Sequence, residues 1–296
     1  MAPGRVSIIV PTYREAENLP RLMTLLAEAM DASGWEWESI VVDDNSTDGT
    51  PAVLADLARH QPRLRYLIRQ GQRGLASAVL AGFKLARYEY LLVMDADLSH
   101  PPESIATLLE PLMKGRADFV IGSRYVPGGR TESWGFFRWL NSVTATWLSR
   151  PLIGPVRDPM AGFFALPRTV LATADELNPI GYKIALELMV KCRLQHILEV
   201  PIVFRNRTYG QSKLTLHEQF RYLEHLARLY DYRFPRVSRW VKFLIAAGCG
   251  ALAGWVMVLG LGYWRTLSVG WSLAAGLGVM MLVTLVFFIL LSWHRR

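Results

Sequence analysis

Short β-branched runs alternate with amphipathic stretches over the first 125 residues. "RVSIIVP" (5–11) is a strand-length apolar run stopped by proline, and residues 15–30 follow with Leu19, Leu22, Leu25 and Leu26 at helical spacing. "ESIVVDD" (38–44) reads as the next strand. "STDGTPAVLADLARH" (46–60) reads as the next helix, with Thr50 as N-cap and Pro51 at the first helical position. Strands at 64–69, 90–97 and 118–124 then alternate with helices at 74–87 and 102–114. This alternation predicts an α/β fold, a doubly wound and mainly parallel sheet covered by helices. Ligands bind such sheets at the carboxyl ends of the strands.

The pattern changes further along. "WGFFRWLNSVTATWL" (134–148) sets Phe136, Trp139, Leu140, Val143 and Trp147 on one helical stripe, which suits a buried core helix or one lying at a membrane interface over 136–148. The stretch 218–234 has the same character. Residues 243–264 and 266–293 are then free of charge for 22 and 28 positions, with only Arg265 between them. About 20 helical residues cross a bilayer core, so these runs predict a transmembrane hairpin. The organisation expected is a catalytic domain over 1–214, an amphipathic connector over 215–240 and the hairpin over 241–296.

Charge adds an orientation. Of the net +8, much lies between Arg205 and Lys242, where nine Lys/Arg face three acids, and Arg295 and Arg296 follow the second run. Basic residues at both outer ends of the hairpin predict an integral membrane protein with its catalytic domain on the cytoplasmic face. The basic stretch has a membrane surface as its partner, and no nucleic acid is expected. The first residues run straight into a strand pattern with no signal peptide. Cys192 and Cys249 lie in unlike contexts, so neither a disulfide nor a zinc site is expected.

Two acidic pairs fall at predicted strand ends, Asp43-Asp44 and Asp95/Asp97. In "LLVMDADLSHPP" an apolar run ends on two carboxylates one residue apart. Such neighbours repel unless a cation sits between them. An isolated D-x-D is also simply a strand followed by a polar turn, and "DDNSTDGT" would serve as a capping cluster. No G-x-G-x-x-G follows the first strand and no lysine-bearing phosphate loop is present, which disfavours dinucleotide and P-loop enzymes.

Eight ordered blocks carry a resemblance: "VSIIVPTYREAENLP", "IVVDDNSTDGT", "RGLASAVLAGF", "MDADLSHPPE", "IGSRYVPGG", "DPMAGFFAL", "LNPIGYKIALELMVK" and "EVPIVFRNRTYGQSKL". Spanning residues 6–214, they resemble the polyprenyl-phosphate glycosyltransferases of glycosyltransferase family 2, nearest to the dolichol-phosphate mannose synthases. The resemblance implies a GT-A-type fold and transfer of mannose from GDP-mannose to a polyprenyl phosphate, either dolichyl or undecaprenyl, with inversion. It implies Mg²⁺ or Mn²⁺ held by Asp95, Asp97 and Ser99, where relatives have Gln at the third position. Pro11, Tyr13, Glu15, Val42 and Asp44 would surround the nucleoside, with Asp44 gripping guanine. Arg124, Arg138 and Ser142 would hold the acceptor phosphate. Arg207 and Lys213 would close over the donor diphosphate and, with Asp97 and Arg124, carry catalysis.

A phosphate monoester is largely dianionic at pH 7, so this chemistry needs no general base. Relatives with two spans transfer glucose or aminoarabinose and assemble as oligomers, which leaves another nucleotide-sugar donor and a homo-oligomer open. A processive polysaccharide synthase would carry Q-x-x-R-W, where this chain has Gly135 in "GFFRW". A non-catalytic sugar-nucleotide-binding protein would be expected to have lost the acidic pair or the arginines.

Overall fold

Residues 5–12 and 36–43 are buried along all but their first position, the signature of parallel strands covered on both faces. Alternate side chains feed two cores: Val6, Ile8 and Val10 pack on one face, and Ile9 with Ile40 and Val42 on the other. A computed structural model of the chain describes residues 4–131, 136–181, 183–205, 216–263 and 269–292. It is built as two compact units, Met1–His225 and Leu226–Arg296.

In chain order the first unit carries β1 (Arg5–Thr12), α1 (Leu19–Ser33), β2 (Glu36–Asp43), α2 (Thr50–His60), β3 (Leu64–Ile68), α3 (Leu75–Leu85), β4 (Tyr90–Val93), α4 (Ile105–Met113) and β5 (Phe119–Ser123). These are the elements the hydrophobic pattern predicts. There are three local differences, the first being that β4 stops at Val93, short of the strand expected over 90–97, so that Asp95 and Asp97 lie in the loop after it. Residues 15–18 form a turn in which Glu15 C=O accepts the amides of Asn18 and Leu19, and α1 starts at Leu19 with Pro20 in its first turn. Thr50 is the first residue of α2 rather than its cap, because its hydroxyl donates to Asp48 at 2.6 Å and Gly49 takes the cap at φ +93°.

Beyond residue 125 the unit adds β6 (Arg130–Thr131), α5 (Phe136–Ile153), β7 (Phe164–Pro167), α6 (Arg168–Leu171), α7 (Ile184–Lys191), β8 (Ile197–Pro201), β9 (Val203–Phe204) and the start of α8 (Leu216–Arg233). The main sheet runs β3-β2-β1-β4-β7-β5-β8, all parallel except β7, which pairs antiparallel with β4 and β5. Strand order reverses between β1 and β4, and that switch point opens a crevice at their carboxyl ends.

On α5, Val143 and Trp147 are exposed, Trp147 by 68%. Phe220 and Leu223 of α8 are exposed as well, and the Tyr222 hydroxyl donates to Ala145 C=O at 2.9 Å. Apolar side chains thus face outward on the two helices expected at a membrane interface.

His225 ties α8 to α7. Glu187 is fully buried and takes donors from His225 Nε2 at 3.1 Å, Lys191 Nζ at 2.7 Å and the Asn178 amide at 2.8 Å. Burial pushes its carboxyl up, and the three donors together with the charge of Lys191 outweigh this and hold it below the ordinary value of 4.5. A depressed folded-state value means a contribution complete above about pH 4.5 and lost as pH falls through the folded-state value. Glu187→Gln should therefore be less stable than wild type in urea at pH 7, with the gap closing below about pH 4.5. A gap of the same size at both pH values would exclude this carboxylate as its source.

The second unit holds the rest of α8, α9 (Pro235–Tyr263) and α10 (Val269–Ser292). Pro235 occupies the first position of α9, so the helix begins ahead of the uncharged run. Segments Pro235–Gly260 and Leu273–Leu290 are long and apolar enough to cross a membrane. The two helices pack backbone to backbone: a Cβ on Gly254 would lie 2.6 Å from Gly276 C=O.

Candidate active site

Three loops leave the carboxyl ends of β1, β2 and β4, and each contains a non-glycine residue in the left-handed region: Arg14 (φ 62°), Asn45 (φ 54°) and Leu98 (φ 64°). Conformations of this kind persist where surrounding bonds impose them, and they gather at functional sites. The first two loops hold each other. Ser46 Oγ accepts the Arg14 amide at 2.8 Å, and Thr50 Oγ1 accepts the Glu15 amide at 3.1 Å. Asp43 serves its own turn, accepting Ser46 N–H at 2.9 Å and Ser46 Oγ–H at 2.5 Å.

Asp44 does something else. Nε and Nη2 of Arg69 both donate to its Oδ1, the first at 2.7 Å, and Gly74 N–H donates to Oδ2 at 2.8 Å. Both side chains are buried. Pro11 and Val42 face each other in register at the strand ends. Glu15 accepts from Asn18 Nδ2 at 2.6 Å. The Tyr13 ring lies 4.6 Å from the Arg73 guanidinium, which also donates to its hydroxyl at 2.8 Å. The five residues expected around a nucleoside therefore sit on β1, β2 and the loops that leave them, where Asp44 is held by Arg69 and Tyr13 by Arg73.

The acidic pair follows β4, which flanks β1 on the side away from β2. Asp95 is partly exposed and Asp97 is buried. Ser99 donates both its amide, at 3.1 Å, and its hydroxyl, at 2.6 Å, to Asp97 Oδ1. Its hydroxyl thus steadies Asp97. His100 Nδ1 accepts the Asp95 amide at 2.9 Å. Burial pushes the His100 imidazole below its ordinary value, against the upward pull of Asp95 and Asp97.

These donors fit a hard divalent cation. Among the described residues no group of three or more His, Cys, Asp or Glu side chains could hold a metal on its own. Two carboxylates with the remaining positions left to phosphate and water are the arrangement Mg²⁺ commonly takes.

Arg124, at the end of β5, is forked onto Asp158. Nε donates to Oδ2 at 2.7 Å, Nη2 to Oδ1 at 2.6 Å, and the Arg124 amide to Oδ2 at 3.0 Å. The edge expected to fork a phosphate is thus turned onto a wholly buried carboxylate, and the guanidinium lies 5.3 Å from the Phe204 ring. Ser142 Oγ accepts from Tyr125 at 2.8 Å. The side chain of Arg138, and all of Arg207 and Lys213, lie outside the described residues.

The turn that supplies Asp158 also reaches the acidic pair. A Cβ on Gly162 would sit 3.5 Å from both Asp95 carboxylate oxygens, an ordinary contact, and 3.3 Å from His100 Cε1, a tight one, so this turn packs closely against both residues. Lys183 Nζ donates to Met160 C=O at 3.3 Å. Sequence reasoning quoted "DPMAGFFAL", "RGLASAVLAGF" and "MDADLSHPPE" but gave no role to Asp158, Gly162, Arg73 or His100, and it read Arg69 only as strand. The signal available for Asp158 was a buried-type motif beginning on an acid.

Comparison with known proteins bears on the family and the fold. The model of the glycosyl transferase family 2 matches residues 7–172. A dolichol-phosphate mannosyltransferase of Pyrococcus furiosus is 42% identical over 84% of this chain and 70% of its own length. The dolichol-phosphate mannosyltransferase of Saccharomyces cerevisiae is 41% identical over 77% of this chain and 88% of its own. A polyprenol monophosphomannose synthase of Mycolicibacterium smegmatis is 40% identical over 71% and 81%. Among solved structures, mannosyl-3-phosphoglycerate synthase from Rubrobacter xylanophilus shares the fold with a TM-score of 0.58 at 18% identity, covering 79% of this chain and 75% of its own. Glucosyl-3-phosphoglycerate synthase from Mycobacterium tuberculosis, crystallised with Mn²⁺ and UDP-glucose, shares it with a TM-score of 0.54 at 20% identity, covering 77% and 79%.

Proposed function

The chain belongs to glycosyltransferase family 2, and from that premise we propose that it transfers mannose from GDP-mannose to a polyprenyl phosphate with inversion at the anomeric carbon. The observation that carries this reading is the set of relatives at 40–42% identity that are named for mannose transfer to dolichol or polyprenol phosphate.

The crevice suits such a donor. Pro11, Tyr13, Glu15 and Val42 take the nucleoside. Asp44, whose Oδ1 takes two donors from Arg69 and whose Oδ2 takes the Gly74 amide, keeps about one acceptor site on Oδ2 for a guanine N–H. Asp95 and Asp97 would hold Mg²⁺ or Mn²⁺, which would supply the positive charge that neutralises a departing diphosphate. Arg207 and Lys213 add positive charge on the same diphosphate. On the acceptor side Arg138 and Ser142 hold the phosphate, and Arg124, braced by Asp158, adds a cation next to them.

A dianionic acceptor oxygen attacks C1 of the sugar. The bond from C1 to the β-phosphate oxygen breaks and GDP leaves with the electron pair. No proton is moved, which accounts for the lack of a base in the proposed site. The α9–α10 hairpin anchors the enzyme, with the basic residues at its outer ends assigning the catalytic domain to the cytoplasmic face.

The test is purified protein in detergent with a short polyprenyl phosphate, a panel of GDP- and UDP-sugars, and Mg²⁺ or Mn²⁺. GDP-mannose should be consumed to give a lipid-phosphate mannoside, and excess chelator should stop the reaction. Consumption of a UDP-sugar with GDP-mannose untouched would overturn the donor assignment. Turnover undiminished in chelator would overturn the metal.

A further inference from the structure

His100 is 2% exposed, and the reaction above gives it nothing to do. Its surroundings are unusually complete. The ring stacks on Phe163 with centroids 5.1 Å apart and planes 15° apart, and it meets Phe204 edge-on at 5.5 Å. Gly162 backs against Cε1. Nδ1 accepts the Asp95 amide.

That amide is where the sheet runs out. β4 ends at Val93, and Met94 N–H still donates across to Ile9 C=O at 3.1 Å. The amide of Asp95 comes next, and a buried amide without an acceptor is costly. His100 supplies the acceptor and closes residues 95–100 into a loop, inside which Leu98 is held at φ 64°. Accepting at Nδ1 also fixes the tautomer, since a proton there would set one N–H against another. The ring is neutral, with its proton on Nε2.

We infer that His100 is the positioning residue of the metal carboxylates: by accepting the Asp95 amide it sets the backbone from which Asp95 and Asp97 meet a divalent cation. The inference rests on the proposed reading only for the presence of that cation. An alternative role, a ring that merely fills space between Phe163 and Phe204, predicts the opposite ranking of two variants. His100→Asn puts a carbonyl oxygen near the place of Nδ1 but removes the ring. His100→Phe keeps a ring to stack and removes the acceptor.

The experiment uses the full chain in detergent. Mn²⁺ binding is followed by the paramagnetic resonance signal of the free ion, with Mn²⁺ alone as the ligand. Melting temperature and the KM values for metal and for polyprenyl phosphate are measured beside it. His100→Phe should weaken Mn²⁺ binding by about ten-fold or more, the usual effect of losing a partner that orients a ligand. His100→Asn should stay within about three-fold of wild type by the same reasoning, and KM for the lipid should stay unchanged in both. Wild-type Mn²⁺ affinity in His100→Phe, or an equal loss in His100→Asn, would overturn the inference, as would a wild-type protein that binds no Mn²⁺. If His100→Phe does not fold, His100→Asn decides alone: retained affinity supports the inference and a ten-fold loss overturns it. A wild-type enzyme that binds Mn²⁺ but uses another sugar would sink the donor assignment and leave this result standing.

Discussion

Asp97→Asn should reduce mannosyl transfer by about 10³-fold or more while leaving the fold intact. The amide keeps the size of the carboxylate, and its oxygen can still accept the Ser99 amide and hydroxyl that now bond to Asp97 Oδ1. The loop therefore retains its internal bonds. What the variant loses is a formal negative charge at a buried position, where charge counts for most. A neutral amide holds a hard dication poorly, and the diphosphate then faces a single carboxylate with its own charge uncompensated. Asp95→Asn should fall the same way, though Asp95 is the more exposed of the two. The melting temperature should stay within about 2 °C, which corresponds to less than about 1 kcal/mol for a unit of this size. A folded Asp97→Asn enzyme that turns over at a tenth of the wild-type rate would show that the charge of this pair is not what stabilises the leaving group.

How much of this was legible in the sequence depends on the range of the interaction. β1, β2 and β4 are short apolar runs, β1 stopped by Pro11-Thr12 and the other two closed by or soon followed by aspartates, and helices between them repeat at the helical period, so local pattern sufficed to place them. β7 and β8 fall within the motif blocks, yet neither shows a strand pattern in sequence. "FALP" is too short to alternate, and it enters the sheet antiparallel between β4 and β5, where only distant partners tell it from a loop. "ILEVP" carries Glu199 in its middle, a residue that argues against a strand until its carboxylate is seen to accept the amides of Arg157 and Asp158 at 2.9 Å each.

The acidic pair was legible only together with the ordered blocks around it, since a D-x-D alone reads equally well as a strand followed by a polar turn. Its supports were not. Asp44 and Arg69 are 25 residues apart, and Arg124 and Asp158 are 34 apart. Nothing in either local stretch says that these charges find each other instead of solvent. The helix at 136–148 was read from its apolar stripe as either core or interface, and only the exposure of Val143 and Trp147 separates the two. Sequence pattern therefore located the groups proposed to meet substrate, and tertiary structure was needed to identify the groups that hold them.

Asp158 offers the second large effect, because it should separate stability from catalysis. It is wholly buried and takes three donors from Arg124, whose own side chain is 9% exposed. Removing the carboxylate leaves a buried guanidinium with no counter-charge from this residue, a change that costs about 3–5 kcal/mol. Asp158→Ala should accordingly melt lower by about 10 °C, at roughly 2–4 °C per kcal/mol. Asp158→Asn, which can still accept but carries no charge, should fall between. Replacing both partners removes the stranded charge, so Arg124→Met with Asp158→Leu should melt above Asp158→Ala. That double variant should still fail to use polyprenyl phosphate, because the cation proposed to lie beside the acceptor is gone, while GDP-mannose binding measured by calorimetry stays near wild type. Wild-type melting in Asp158→Ala would show that the pair does not stabilise the unit. A double variant that transfers mannose at the wild-type KM for lipid would show that Arg124 is a structural residue, and that the acceptor phosphate is held elsewhere.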